Sequence, residues 1–182
     1  MTQTTTSTEL ATGTWALDPV HSEISFTVRH LMSKVRGSFT DFSGEIVTTE
    51  NILESKVSVT IQSASITTHN EQRDGHLRSP DFFDPEKGGQ ITFNSTKITE
   101  AADGYIITGD LTINGVTKSV DLAAEYLGLG GNAYGGTVLG AEASTSINRK
   151  DFNVTFNIPL DGGKFVIGDK IEITLGIEAT QV

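Results

Sequence analysis

From Lys170 to Ala179 the chain alternates strictly, with Ile171, Ile173, Leu175, Ile177 and Ala179 on one set and Lys170, Glu172, Thr174, Gly176 and Glu178 on the other. A period of two puts the apolar set on one face of a β-strand and the polar set on the opposite face. The same alternation recurs in Ile24, Phe26 and Val28, in Val57, Val59 and Ile61, and in Ile91 and Phe93. It returns in Ile107, Leu111 and Ile113, and in Val120, Leu122, Ala124 and Tyr126. Asn114-Gly115 between two such runs predicts a tight hairpin, and Asp103-Gly104 predicts another turn, so neighbouring strands pair antiparallel. Parity changes between Phe39 and Phe42, which predicts a bulge near Thr40 or Asp41. Asp18-Pro19 predicts a turn before the first long strand. The stretch from Gly128 to Gly136 reads as a flexible loop able to gate an opening.

One-sided antiparallel strands, about eight of them, must hide their apolar faces between two sheets or inside a barrel. The run from Ile171 to Ala179 spans about 30 Å at ~3.3 Å per residue, which favours an elongated tube. The predicted fold is therefore all-β, an up-and-down antiparallel β-barrel. In Leu139, Ala141, Ala143, Thr145 and Ile147 the odd positions face inward because Glu142 lies on the even set, and Gly109 is inward on its own strand. Small inward residues leave space for a ligand unless neighbouring Phe rings fill it. The candidate wall comprises Phe26, Val28, Val59, Ile61, Phe93 and Leu111 from the first strands. Ile113, Leu122, Ala141, Ala143, Ile147, Ile173 and Leu175 continue it.

The segment from Ser65 to Phe83 crowds His, Arg and Asp together between β-type runs. Asn70 is a candidate N-cap and Pro80 a stop, which predicts a short helical lid near residues 70–79, with Phe82 and Phe83 turned onto the wall. Asp74 and Arg78 form an i,i+4 pair in the favourable order. His69, Arg73, His76 and Leu77 give this lid a mixed basic and apolar character. His30 shares its parity with Ile24, Phe26 and Val28 and points inward, whereas His21 faces the other way. Arg149 ends the small-residue strand and can reach the barrel mouth. The polar-end candidates are thus His30, Arg73, His76 and Arg149. Each has a plainer reading: a hydrogen-bonded core histidine for His30, a solvated surface helix for the lid, and an ion pair with Asp151 or an acidic lid residue for Arg149.

With 182 residues and 36% apolar content, one domain suffices: a flexible tail over 1–12 and the barrel over 13–182. A net charge of -10 argues against a grip on nucleic acid or an anionic membrane surface. The absence of cysteine excludes disulfides and thiolate chemistry, and the four histidines are spaced too poorly to predict a metal site. The first fifteen residues carry no basic and apolar leader, which predicts a cytoplasmic protein, and no stretch reaches the ~20 apolar residues of an integral membrane helix. No nucleophile elbow, cofactor fingerprint or metal triad is present, so no catalytic residue and no enzyme activity are expected. Two alternatives stay open: an enzyme using His30 with an Asp or Arg as an acid-base pair on an isoprenoid or quinone, and an interaction barrel filled by its own Phe side chains. Imperfectly closed strand edges would let two copies pair as a homodimer.

Trp15-Ala-Leu-Asp-Pro-Val-His-Ser-Glu-Ile-Ser-Phe26, Val28-Arg-His30, Val35-Arg-Gly-Ser-Phe39 and Phe42-Ser-Gly44 stand in order along the chain. Ser65-Ile-Thr-Thr68, Arg73-Asp-Gly-His-Leu-Arg-Ser-Pro-Asp-Phe-Phe83 and Ile91-Thr-Phe-Asn-Ser-Thr96 follow. Gly109-Asp-Leu-Thr-Ile-Asn-Gly-Val-Thr-Lys118 and Ile147-Asn-Arg-Lys-Asp-Phe152 complete the set. Together they resemble the YceI-like family of polyisoprenoid-binding, lipocalin-like proteins, from Trp15 to Ala179. The resemblance implies a soluble barrel that encloses a polyprenyl chain, an isoprenoid quinone or another long amphiphile for carriage, storage or sequestration. It implies no cofactor beyond a non-covalently bound isoprenoid lipid. Many relatives carry a secretion signal, and its absence here points to a cytoplasmic carrier.

Overall fold

A computed structural model describes residues 10–182; the proposed tail over 1–12 lies largely outside the described residues. The strands are β1 (Gly13–Leu17), β2 (Glu23–His30), β3 (Ser33–Phe39), β4 (Phe42–Thr48), β5 (Lys56–Gln62) and β6 (Ile66–Thr67). They continue with β7 (Gln90–Ala101), β8 (Gly104–Ile113), β9 (Val116–Gly131), β10 (Thr137–Asn148) and β11 (Ile167–Gln181). A single short helix among the described residues, α1 (Glu71–Leu77), lies between β6 and β7.

Three pairs of these strands are one long strand interrupted. β1 runs antiparallel to the end of β11 through Leu17↔Ala179, and β2 continues along β11 from Glu23↔Gly176 to His30↔Ile167. β3 and β4 are separated only by Thr40 and Asp41, and β5 and β6 only by a 3-10 turn over Ser63–Ser65. Those two breaks are sewn together: the Thr40 amide donates to the Ser65 carbonyl at 3.3 Å and the Gln62 amide to the Asp41 carbonyl at 2.9 Å. The eleven strands therefore form an eight-strand closed antiparallel barrel in which each long strand pairs with its neighbours in sequence. The bulge expected near Thr40 and Asp41 is the break in the second long strand.

Up-and-down order sorts the connections by end. The long excursions, 68–89 with α1 and 149–166, both lie at one end, as do the turns at 31–32 and 114–115. We term this the lid end. The far end has the loops at 49–55, 102–103 and 132–136. Asn114 (φ 51) and Gly115 (φ 73) both hold positive φ, as the tight hairpin between β8 and β9 requires. The expected flexible loop from Gly128 to Gly136 is corrected by the structure. Gly128, Leu129 and Gly130 pair with Gly140, Leu139 and Val138, so ladder hydrogen bonds hold the glycines in β9. Only 132–136 remains outside strands. It is cinched by Asn132 Oδ1, which accepts from the Tyr134 and Gly136 amides at 3.0 and 2.7 Å, and it sits at the far end from the lid.

Apolar side chains form two buried clusters. Trp15, Leu17, Ile24, Phe42, Leu139 and Ala179 make one, on the far-end side of the barrel. Phe82, Ile91, Phe93, Leu111, Ile113, Phe152 and Val154 make the other, under the lid. Small inward glycines do not always leave space. A Cβ on Gly109 would fall 2.4 Å from the Phe93 ring and 2.7 Å from the Asn94 carbonyl oxygen, so Phe93 occupies the room Gly109 vacates. Gly109→Ala is expected to destabilise the fold by about 1–3 kcal/mol in urea unfolding, because ring and backbone must both move. A stability equal to that of the parent would contradict this packing.

Candidate functional site

Where the wall residues are Ala rather than Gly beneath a ring, the interior stays open. Ala143 pairs with Ala124 on one side and Leu175 on the other, and all three line a cavity of about 380 Å3. Phe26, Val28, Val59, Ile61, Phe93, Leu111, Ile113, Leu122, Ala141, Ile147 and Ile173 line the same cavity, and Phe82 and Phe83 border it from the lid. The structure also brings to the wall residues the sequence reading did not name as lining, including Phe39, Val120 and the run Val154, Phe156 and Ile158. That last run was legible as an alternating set starting at Phe152, but it lies in an irregular segment with no ladder to reveal its inward face. The apolar sets face in and charged side chains such as Lys170 and Glu172 face out, the reverse of a barrel embedded in lipid. No helix among the described residues is long and apolar enough to cross a membrane.

Polar groups gather at the lid end of this cavity. Asn70 caps α1 by accepting from the Arg73 amide at 2.9 Å, as expected. The expected Asp74–Arg78 pair is not a direct contact. Asp74 is buried and accepts from the Thr68 amide at 2.8 Å and from the Thr68 hydroxyl, while Arg78 donates to the Ala64 and Ile66 carbonyls at 2.8 and 3.1 Å. Burial pushes the Asp74 carboxyl up. The Thr68 hydroxyl and amide, followed by the charges of Arg78 and Arg73, outweigh this and hold it below its ordinary 3.8. Both sides of the lid are therefore fastened to strand ends. The hairpin at Asn114 adds a clamp, its side chain donating to the Phe82 carbonyl at 2.6 Å and accepting from the Asp84 amide at 3.1 Å.

The four polar-end candidates all line the cavity, but their side chains differ in what they already hold. Arg73 donates to the Thr68 hydroxyl and carbonyl at 2.7 and 3.0 Å. His76 bonds Asp81 at 2.8 Å and stacks edge-on against Phe82 and Phe156, at 5.0 and 4.8 Å between ring centres. Arg149 is 4% exposed and donates to the carbonyls of Gly168, Val154, Phe156 and Ile167, with Asp169, not Asp151, 3.6 Å away. Burial lowers its guanidinium below the usual value and Asp169 opposes the shift. His30 alone of the four has an imidazole with no hydrogen-bond partner among the described residues, and it faces the cavity at the end of β2.

His21 lies outside the barrel, in the interruption between β1 and β2. Its Nδ1 is 2.6 Å from Asp18, whose other oxygen accepts from the Val20 amide at 2.9 Å, so Asp18 caps the expected turn. Glu178 completes a trio of donor atoms within 4.8 Å of one another. Bonds from the Asp18 amide and the Ser22 hydroxyl to the Glu178 carbonyl, both 2.9 Å, account for the cluster as a staple closing the interruption onto β11. The hydrogen bond to His21 holds the Asp18 carboxyl below 3.8, and the same bond raises the His21 imidazole above 6.5. A raised histidine stabilises the fold fully below about 6.5 and loses that contribution as pH rises through its folded-state value. The lowered carboxyl contributes above 3.8 and loses its share as pH falls through its own folded-state value. An NMR titration is expected to place the His21 midpoint above 6.5, with Asp18→Asn returning it towards 6.5. A midpoint at or below 6.5 in the parent would contradict the pairing.

A YceI-like domain is matched over residues 15–179, the span of the closed barrel. The chain belongs to the YceI-like family. A UPF0312 protein of Photorhabdus laumondii is 47% identical over 135 residues, covering 73% of this chain and 70% of its own. Among solved structures, the YCEI protein of Campylobacter jejuni superposes with a TM-score of 0.71 at 32% identity, over 83% of this chain and 87% of its own. A polyisoprenoid-binding domain from Saccharophagus degradans superposes with a TM-score of 0.68 at 16% identity, over 94% and 100% of the two chains, a likeness of fold. This YceI-like barrel thus shares its architecture with both solved structures.

Proposed function

We propose that this YceI-like chain is a soluble carrier or store that encloses the tail of an isoprenoid amphiphile, a polyprenyl lipid or isoprenoid quinone. The observation that supports it most is the cavity itself: an apolar wall running from Leu17 and Ile177 to Ile158, with an unpartnered imidazole, that of His30, at the lid end. A barrel of the same architecture is a polyisoprenoid-binding domain in Saccharophagus degradans, which supports a prenyl tail over other fillings. Burying about ten methylenes at ~0.8 kcal/mol each gives about 8 kcal/mol, the scale of a micromolar dissociation constant before the tail's ordering is subtracted. Wall area therefore supplies affinity, and selectivity falls to the polar end. In this reading His30 meets a quinone carbonyl or a phosphate oxygen, and the Arg73 guanidinium, whose Nη1 is not among the atoms bound to Thr68, is the second contact. Arg149 shapes the wall.

Displacement of a fluorescent apolar probe tests the reading. Affinity is expected to rise with prenyl length until the cavity is filled, and His30→Ala is expected to weaken a prenyl quinone about tenfold while leaving a head-group-free prenyl hydrocarbon unchanged. Equal affinity for short and long tails would overturn the tail assignment. An equal loss for both ligands would overturn the head-group role of His30.

A further inference from the structure

The two hairpins at the tip of the lid end are unusual for surface turns. The turn between β2 and β3 is Leu31-Met32, with Leu31 49% and Met32 96% exposed. Leu31 sits at φ 54, a left-handed conformation that favours Gly and Asn. The other tight turn at the same end has the residues such geometry asks for, Asn114-Gly115. An apolar residue kept exposed against its backbone preference marks a surface with a use.

The 149–166 excursion adds to the same patch. The Leu31 amide donates to the Val166 carbonyl at 2.8 Å, and the Val166 amide to the Ile158 carbonyl at 3.1 Å, so the two tips are tied side by side. The second tip exposes Ile158, Leu160 and Phe165. Ile158 and Val166 also line the cavity, and His30, in its wall, directly precedes Leu31, so the patch is continuous with the site.

The lid end is not basic throughout, since the 68–89 excursion exposes Glu71, Asp81 and Glu86, but the β2–β3 hairpin is. The chain as a whole carries -10, yet Ile24 to Thr40 contains Arg29, Lys34 and Arg36 and no acid. All three are exposed. Lys164 joins them from the second tip, against Asp151 and Asp161 as the exposed acids of that excursion, while Lys150, 5.8 Å from the Phe165 ring centre, is paired with Asp169 at 3.1 Å. The net charge argues against an anionic surface for the molecule as a whole, and this hairpin is its local exception.

We propose that the Leu31-Met32 and Ile158–Phe165 tips form a docking surface for an anionic lipid bilayer. The tips insert their apolar side chains among the head groups, and Arg29, Lys34 and Arg36 meet the lipid phosphates. Docking sets the lid end of the cavity against the membrane, so a tail can pass between bilayer and barrel without crossing water. The proposal rests on the carrier reading for its purpose, but its surface can be tested apart from it.

Flotation with vesicles of phosphatidylcholine alone, or mixed with phosphatidylglycerol, tests the surface. The parent protein is expected to float with the anionic vesicles at low salt and to be released as salt rises. Met32→Asp, a change at a side chain outside the cavity wall, is expected to cut vesicle affinity about tenfold, and Tyr134→Asp at the far end to leave it unchanged. Failure of the parent to float, or an equal loss in both variants, overturns the proposal. So does a dimer in light scattering that Met32→Asp disperses without any vesicle binding, which would assign the patch to a second copy. Bound lipid is measured on the same samples. A parent that holds lipid but does not float overturns the docking surface and leaves the carrier standing, whereas one that floats but holds no lipid does the opposite.

Discussion

Replacing Arg149 with Met should lower the stability of the fold by about 3–5 kcal/mol, a large part of the ~5–15 kcal/mol available to a domain. The guanidinium makes four hydrogen bonds, to the carbonyls of Val154, Phe156, Ile167 and Gly168, and Asp169 lies 3.6 Å from it as an ion-pair partner. It is thus the internal frame of the excursion between β10 and β11, including Phe156 and Ile158, which border the cavity. Removing it leaves carbonyls buried without donors. Arg149→Lys should recover little, because one ammonium cannot serve four acceptors arranged around a planar fork. Urea unfolding followed by circular dichroism reads the loss, and hydrogen exchange should show it first over 154–168. A midpoint shift worth less than about 1 kcal/mol would contradict the role.

Ala143→Phe should abolish lipid retention while leaving the fold as stable as the parent. Ala143 and its neighbour Ala124 are small in a wall built mostly from Val, Ile, Leu and Phe, and a Phe ring there projects into open space. Filling space that is already void avoids the ~1–3 kcal/mol cost of overpacking, and dispersion contacts offset the lost entropy of the ring. The ring then occupies the volume a tail needs. Lipid extracted per mole of protein should fall at least about tenfold, with the thermal midpoint unchanged or higher. Unchanged retention would place the bound tail elsewhere.

Particular residues show why much of this was legible in the sequence. The parity of Ala141, Ala143, Thr145 and Ile147 against Glu142 gave the inward face correctly, because a strand cannot turn one residue over without turning all. Asn70, Asn114-Gly115 and Asp18 were read from local chemistry that tertiary contacts did not override. The misreadings involve long-range pairing. Gly128 to Gly130 suggested a loop until β10 supplied hydrogen-bond partners, and the Asp74–Arg78 spacing suggested a pair until Thr68 and two carbonyls offered better ones. Gly109 suggested a hole that the Phe93 ring, on the adjacent strand β7, fills. The closure of β1 onto β11, 160 residues apart and more, was legible only as the need to hide apolar faces.

Native mass spectrometry of the protein purified without detergent, followed by solvent extraction and identification of what is released, tests the central claim most directly. The account predicts a mass above that of the polypeptide by one prenyl lipid or quinone per chain, lost in Ala143→Phe. A bare polypeptide mass that stays unchanged after incubation with prenyl quinones and polyprenyl lipids would contradict it and make the barrel an apolar core with no cargo.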